Sequence, residues 1–184
     1  MSREKLIEMA LNNKKHSDAG TMEYVDNILE IPAANYYDSD IWQKEVDLIF
    51  KRTPLVLGVS KEIPNPGDYK SIDALGVPVL ITRDSDGNLN AYLNACRHRG
   101  AALVENGIGN KKRFGCPYHG WTYGEDGSLI GIASQEDFGS IDKACKSLVR
   151  LPVLEKAGII WVILTPDSKV DMEKFLFGYD ELLG

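Results

Sequence analysis

The sequence predicts a mostly β fold, a small antiparallel β-sandwich with helices flanking it at the N- and C-terminal ends. Three observations carry this. Between Thr53 and Pro166 the apolar residues come in short β-rich runs separated by Gly, Pro, Asn and Asp clusters, the punctuation of strands and tight turns. Before and after that stretch the apolar spacing changes to helical steps of three and four. With 184 residues, 43% of them hydrophobic, the chain can bury one proper core and need not form two domains.

Each element follows from its residues. Arg3–Asn13 places Leu6, Ile7, Met9, Ala10 and Leu11 at spacings that predict a short helix. Residues 14–22 are charged and aperiodic and predict a loop, in which His16 is a solvated side chain rather than a ligand. Ser39 or Asp40 caps a second helix, whose Trp42, Val46, Ile49 and Phe50 form one buried stripe. Leu55–Val59, Val77–Thr82 and Leu89–Leu93 predict strands, with turns at Pro64–Gly67 and Asp84–Gly87. Phe114–Cys116 and Trp121–Tyr123 predict a hairpin, closed onward by a turn at Glu125–Ser128, with Trp121 packed beneath it. Cys145 lies in an irregular stretch with one helical turn and reads as a small buried apolar residue. Val149–Leu154 and Ile159–Leu164 predict a last strand pair with Trp161 in the core, and Asp171–Leu183 predicts one amphipathic helix.

The chemistry concentrates between Cys96 and Trp121. Cys96-Arg-His-Arg-Gly100 and Cys116-Pro-Tyr-His-Gly-Trp121 each offer one thiolate and one imidazole. The four candidate ligands, Cys96, His98, Cys116 and His119, form two like pairs that a binuclear centre can share. In a Rieske [2Fe–2S] centre two histidines replace two cysteines on one iron, which assigns Cys96 and Cys116 to one iron and His98 and His119 to the other. Two ferric ions, two sulfides and two thiolates sum to a neutral oxidised cluster. A four-cysteine cluster is dianionic, so the imidazoles ease reduction and raise the potential. Histidine also offers a second nitrogen to solvent or a partner. Cys96 and His98 converge only where the chain turns, which Gly100 permits. Pro117 and Gly120 make the second loop stiff and open.

Other readings use the same atoms. Tetrahedral Cys2His2 is a common zinc set, although zinc spacing pairs cysteine with cysteine and histidine with histidine, whereas each loop here mixes the two. A Cys96–Cys116 disulfide would leave both histidines without a purpose. Coincidence would have to place two of three histidines beside two of three cysteines.

Residues from about 31 to 166 resemble the N-terminal part of the large subunit of Rieske non-haem iron oxygenases, the aromatic-ring-hydroxylating dioxygenases. The similar segments are Ile63-Pro-Asn-Pro-Gly-Asp-Tyr69, Asn94-Ala-Cys-Arg-His-Arg-Gly100, Phe114-Gly-Cys-Pro-Tyr-His-Gly-Trp-Thr-Tyr123, Asp126-Gly127 and Gly158-Ile-Ile-Trp161. Rieske proteins of respiratory complexes carry an additional disulfide-forming cysteine in each loop, where this chain has Ala101 and Tyr118. The resemblance implies a helical lead over 1–52, a Rieske [2Fe–2S] domain over 53–166, and over 167–184 a helix that starts an absent catalytic domain. It implies a ferredoxin or flavin reductase as electron donor. The destination it implies is the mononuclear iron site, whose cofactor is Fe(II), in the catalytic domain of a neighbouring subunit, reached through His119. A homo-oligomer, a trimer, goes with it.

A net charge of -6 argues against a nucleic-acid partner. No apolar run approaches a membrane span, and the N-terminus lacks a signal segment, so a cytoplasmic location is expected. Arg97, Arg99, Lys111, Lys112 and Arg113 form a local basic patch suited to an acidic electron donor, with Lys111 and Lys112 read as solvating a hairpin tip. With two of three histidines on the cluster, the facial triad of an oxygen-activating iron is out of reach of these residues. Whether the chain alone is an enzyme stays open. An electron-relay domain of an oxygenase is the leading expectation; a free-standing Rieske ferredoxin and a zinc-stabilised interaction module are the alternatives. The apolar faces of both terminal helices are expected to meet each other, another copy or a partner.

Overall fold

Eleven short strands appear among residues 2–24 and 27–183, which are those the computed structural model describes. Every pairing is antiparallel. The chain divides into two units, Met1–Asp38 and Ser39–Gly184.

The first unit holds α1 (Arg3–Ala19) and a 3-10 turn at Ala33–Tyr36. The helix outruns the expected 3–13 because residues 14–19 continue it with local support: Lys14 pairs with Asp18 at 2.8 Å, and Gly20 closes the end in the left-handed region, its N–H donating to the His16 and Ser17 carbonyls. His16 is occupied locally, its Nδ1 3.0 Å from the Thr21 hydroxyl. No side chain of α1 is buried.

In the second unit α2 (Ser39–Glu45) runs into a π-helical turn, Val46–Phe50, with Val46 buried and Trp42 against Phe50 at 5.6 Å. The predicted stripe is therefore buried only in part, since Trp42 and Ile49 are about half exposed. Three sheets follow. β2 (Asp68–Ala74), β3 (Val77–Arg83), β4 (Leu89–Leu93), β5 (Gly107–Asn110) and β9 (Arg150–Leu151) form the largest, in the order β5-β2-β3-β4-β9. β1 (Leu55–Val59), β11 (Ile159–Val162) and β10 (Val153–Lys156) form the second. The third is a meander of β6 (Arg113–Gly115), β7 (Thr122–Gly124) and β8 (Leu129–Gly131).

Side-chain alternation on β3 explains the layering. Val79 and Ile81 join a core with Ile160, Val162 and Leu151, whereas Leu80 points the opposite way, into a core with Tyr92, Phe114, Trp121 and Tyr123. Each of these fully buried aliphatic side chains contributes roughly 1.5–3 kcal/mol. The five-stranded sheet is thus the middle layer between the other two, and the second core is the one that contains Cys96 and Cys116. The sandwich expected from the sequence is present.

Three local differences have physical causes. The strand expected over 149–154 is two, because Pro152 has no N–H to extend the ladder and the chain passes from one sheet to another there. The terminal helix expected over 171–183 is also two, α3 (Met172–Phe175), capped by Asp171, and α4 (Tyr179–Leu183), separated by Gly178 at φ 83. Met172 and Leu176 are buried against Trp161 and Ile163, so part of this segment's apolar face is covered by its own sheet. Cys145 is exposed rather than buried, its thiol donating to Asp142 at 3.0 Å. Among the described residues no helix is long and apolar enough to cross a membrane.

Candidate metal centre

Two loops built on the same plan face each other at one end of the second core. In the first, the Cys96 N–H donates to the Ala101 carbonyl and the Gly100 N–H to the Cys96 carbonyl, both at 2.8 Å. In the second, the Cys116 N–H donates to the Trp121 carbonyl at 2.8 Å and the Gly120 N–H to the Cys116 carbonyl at 3.1 Å. Cysteine, a glycine four residues on and a closing residue five on thus recur in register. Both glycines take positive φ, 74 for Gly100 and 65 for Gly120, where a side chain would be strained.

Strands and one buried amide hold the first loop. β4 delivers Asn94, whose side chain mimics a neighbouring strand: its Oδ1 accepts from the Leu103 N–H at 2.9 Å, and its Nδ2 donates to the Val104 carbonyl at 2.7 Å and to the Ser71 hydroxyl at 3.0 Å. The second loop spans the β6–β7 hairpin, where Phe114 pairs with Tyr123 and Gly115 with Thr122.

Both cysteines are buried and free, and both imidazoles are half-buried, their rings 4.6 Å apart at 65°. The Nδ1 atoms of His98 and His119 are buried and have no hydrogen-bond partner among the described residues. An unmet buried polar group costs about 1–3 kcal/mol, and two of them side by side fit residues whose free nitrogens face a metal rather than protein. Burial, then the neighbouring His119 and Arg99, hold the His98 imidazole below its ordinary pKa, which favours the neutral, ligating form. Among the described residues no three His, Cys, Asp or Glu side chains gather as round a single ion.

Tyr123 carries a role the sequence did not signal. The Arg97 N–H donates to its hydroxyl at 2.9 Å, which leaves the phenolic proton for Cys96 Sγ at 3.4 Å. Burial, and then the Cys96 sulfur, raise the Tyr123 pKa, so the phenol stays protonated and able to donate. Toward a metal held by Cys96, such a donor would favour the more negative, reduced state.

A cavity of about 510 Å3 opens beside the imidazoles, lined by His98, Arg99, His119, Ser134, Asp137 and Phe138. Tyr118 is exposed, its ring 3.8 Å from that of His119 and 5.9 Å from the Arg99 guanidinium. Of the remaining basic residues, Lys111 lies over the Tyr69 ring at 5.8 Å instead of simply solvating a hairpin tip.

Residues 53–149 match the family described as the Rieske [2Fe-2S] domain. The chain is 36% identical over 152 residues to the alpha subunit of chlorobenzene dioxygenase from Cupriavidus sp. (strain PS12), covering 80% of this chain and 34% of that protein. It is 30% identical over 152 residues to the anthranilate 1,2-dioxygenase large subunit of Acinetobacter baylyi, covering 82% and 32%. Among solved structures, naphthalene 1,2-dioxygenase from Rhodococcus sp. superposes with a TM-score of 0.76 at 32% identity, over 83% of this chain and 35% of that one. A quaternary ammonium Rieske monooxygenase superposes with a TM-score of 0.75 at 31% identity, over 83% and 44%. The chain spans about a third of the length of the curated relatives it matches.

Proposed function

Because the chain belongs to the Rieske [2Fe-2S] domain family, we propose that it relays single electrons as the electron-input domain of a ring-hydroxylating oxygenase alpha subunit. Cys96 and Cys116 hold one iron and His98 and His119 the other. When bound, the cluster accepts and releases one electron at a potential that two neutral imidazoles raise. The single observation that carries the assignment is the pair of buried, unpartnered Nδ1 atoms next to two buried free thiols.

The chain's own residues divide the work. Cys96 and Cys116 lie in the aromatic core, which keeps water from the sulfurs. Tyr123 holds a proton at Cys96 Sγ. His98 is packed against Trp121 and Phe138, whereas His119 lies beside the exposed Tyr118. The second-loop imidazole is therefore the exit toward an acceptor. The electron is delivered to the mononuclear iron site in the catalytic domain of a neighbouring subunit, within a homo-oligomer, a trimer. A cytoplasmic ferredoxin or flavin reductase supplies the electron, and Arg97 and Arg99, both exposed, favour an acidic donor surface.

Anaerobic reconstitution followed by reductive titration tests the proposal. The expected result is two irons and two sulfides per chain taking up one electron, at a potential within the range of about -150 to +300 mV of histidine-ligated centres. Uptake near -400 mV, the region of four-cysteine clusters, or stable binding of one zinc in place of iron, would refute it.

A further inference from the structure

Two aromatic side chains from separate segments close round the first-loop histidine. Trp121 lies parallel to the His98 ring, 5.1 Å between centroids and 12° between planes. Phe138 meets His98 edge-on at 5.3 Å and 85°, and meets Trp121 at 5.9 Å and 73°. His98, Trp121 and Phe138 therefore form a closed triangle of rings. Among the described residues His119 has no such support, since besides His98 its ring contact is with Tyr118, which is 60% exposed.

Phe138 is placed by unusual backbone. It ends the 3-10 turn Gln135–Phe138, which follows Ser134 in the left-handed region at φ 49 and precedes Gly139 at φ 70. Non-glycine residues take such angles only where the surroundings hold them there. One end of this segment is tied to the second loop. The Ala133 N–H donates to the Gly120 carbonyl at 3.4 Å, and the Ala133 methyl occupies the space that a Cβ on Gly120 would need, 2.6 Å away. The other end presses Phe138 on the first-loop histidine. The segment thus bridges the two ligand loops without supplying a ligand.

We propose that Phe138 is a positioning residue that, with Trp121, fixes the plane of the His98 imidazole. His98 is then the rigid ligand of the pair, and His119 the one whose setting a docked partner can alter. The physical reason is that a parallel stack resists tilting of the imidazole while an edge contact from a second direction resists its rotation. The inference rests on the ligand assignment proposed above.

Pulsed electron paramagnetic resonance on the reduced, reconstituted chain with 15N-labelled histidine tests it. Wild type should show two distinct histidine nitrogen couplings, and H119C, which keeps one of the two proposed histidine ligands, identifies the coupling that belongs to His98. In F138A and F138L the spread of the His98 coupling should widen while that of His119 holds, and F138Y, which restores the ring, should behave as wild type. If F138A does not retain the cluster, F138L decides by the same criterion. Loss of the cluster from F138L would count against the proposal, because a residue that only sets a ring plane is not needed to hold iron. Couplings unchanged in both variants, or altered alike for both histidines, would overturn the role of Phe138 and leave the ligand assignment standing. A wild-type signal with no histidine coupling would overturn both.

Discussion

The two cysteine–histidine loops share a hydrogen-bonding plan but not a setting. Each runs from a buried cysteine through a left-handed glycine to a closing residue whose carbonyl accepts the cysteine N–H. The first is fastened from behind, by the Asn94 amide and the Tyr123 hydroxyl, and its histidine is enclosed by rings. The second is carried by a hairpin, and its histidine stands next to an exposed tyrosine. The lesson is that a repeated cysteine–histidine motif sets which side chains are brought together, while the unrepeated surroundings set which histidine is enclosed and which stands at the surface.

The harshest way to break the comparison is to remove a thiol. Cys96→Ser and Cys116→Ser should each abolish iron retention on reconstitution, by iron and sulfide assay, because both bind the same iron in the proposed assignment. Retention by either variant would mean that the loops do not act together.

The equivalent glycines should then separate the loops. At Gly100 an added Cβ meets nothing within 4 Å, so Gly100→Ala should cost only the left-handed strain, about 1–2 kcal/mol. At Gly120 the same strain is joined by contact with the Ala133 methyl at 2.6 Å. Gly120→Ala should lose roughly 1–3 kcal/mol more, read as a lower denaturant midpoint. Equal losses would show that the two loops are equivalent after all.

Smaller again is the effect of the hydroxyl on the first loop. Tyr123→Phe removes the donor to Cys96 Sγ and should lower the reduction potential, by about 40 mV if the bond favours the reduced state by about 1 kcal/mol. Gly100→Ala should leave the potential unchanged, which makes it the control for a purely structural disturbance.

Glu155, in β10, gives a reference that belongs to neither loop. Its carboxylate pairs with Arg83 at 2.9 Å, and that guanidinium holds its pKa below the ordinary value. A depressed carboxylate contributes stability above its unfolded pKa of 4.5, and the contribution is lost as pH falls through the folded value. Glu155→Gln should therefore lower stability at pH 7 by about 1 kcal/mol, with the partial exposure of the pair discounted. The difference should vanish in acid below the folded pKa, and the potential should not move.

Much of this was legible in the residues, and the reasons for the misses are physical. Thiol and imidazole types at short spacing, with glycine and proline between, mark candidate ligand loops because few other structures need that set. β3 and β4 were visible as β-rich runs between turn residues. β2 was hidden by its polar residues, Asp68, Lys70 and Asp73, and β5 by its two glycines, since both strands sit toward one edge of the middle sheet. The break at Pro152 was written in the sequence as a missing N–H. Tyr123 and Phe138 could not be assigned, because their contacts depend on residues 27 and 40 positions away that only the folded chain brings near. Asn94 was quoted within a motif, but its four hydrogen bonds to backbone and Ser71 are tertiary information.

Continuous-wave electron paramagnetic resonance of the dithionite-reduced chain, compared with that of H119C, tests the central claim most directly. The account predicts a rhombic spin-half signal at the low average g of a histidine-ligated binuclear cluster, displaced toward the four-cysteine pattern when His119 becomes a thiolate. The same spectrum from both proteins, or no signal from a chain that has taken up zinc, would contradict it.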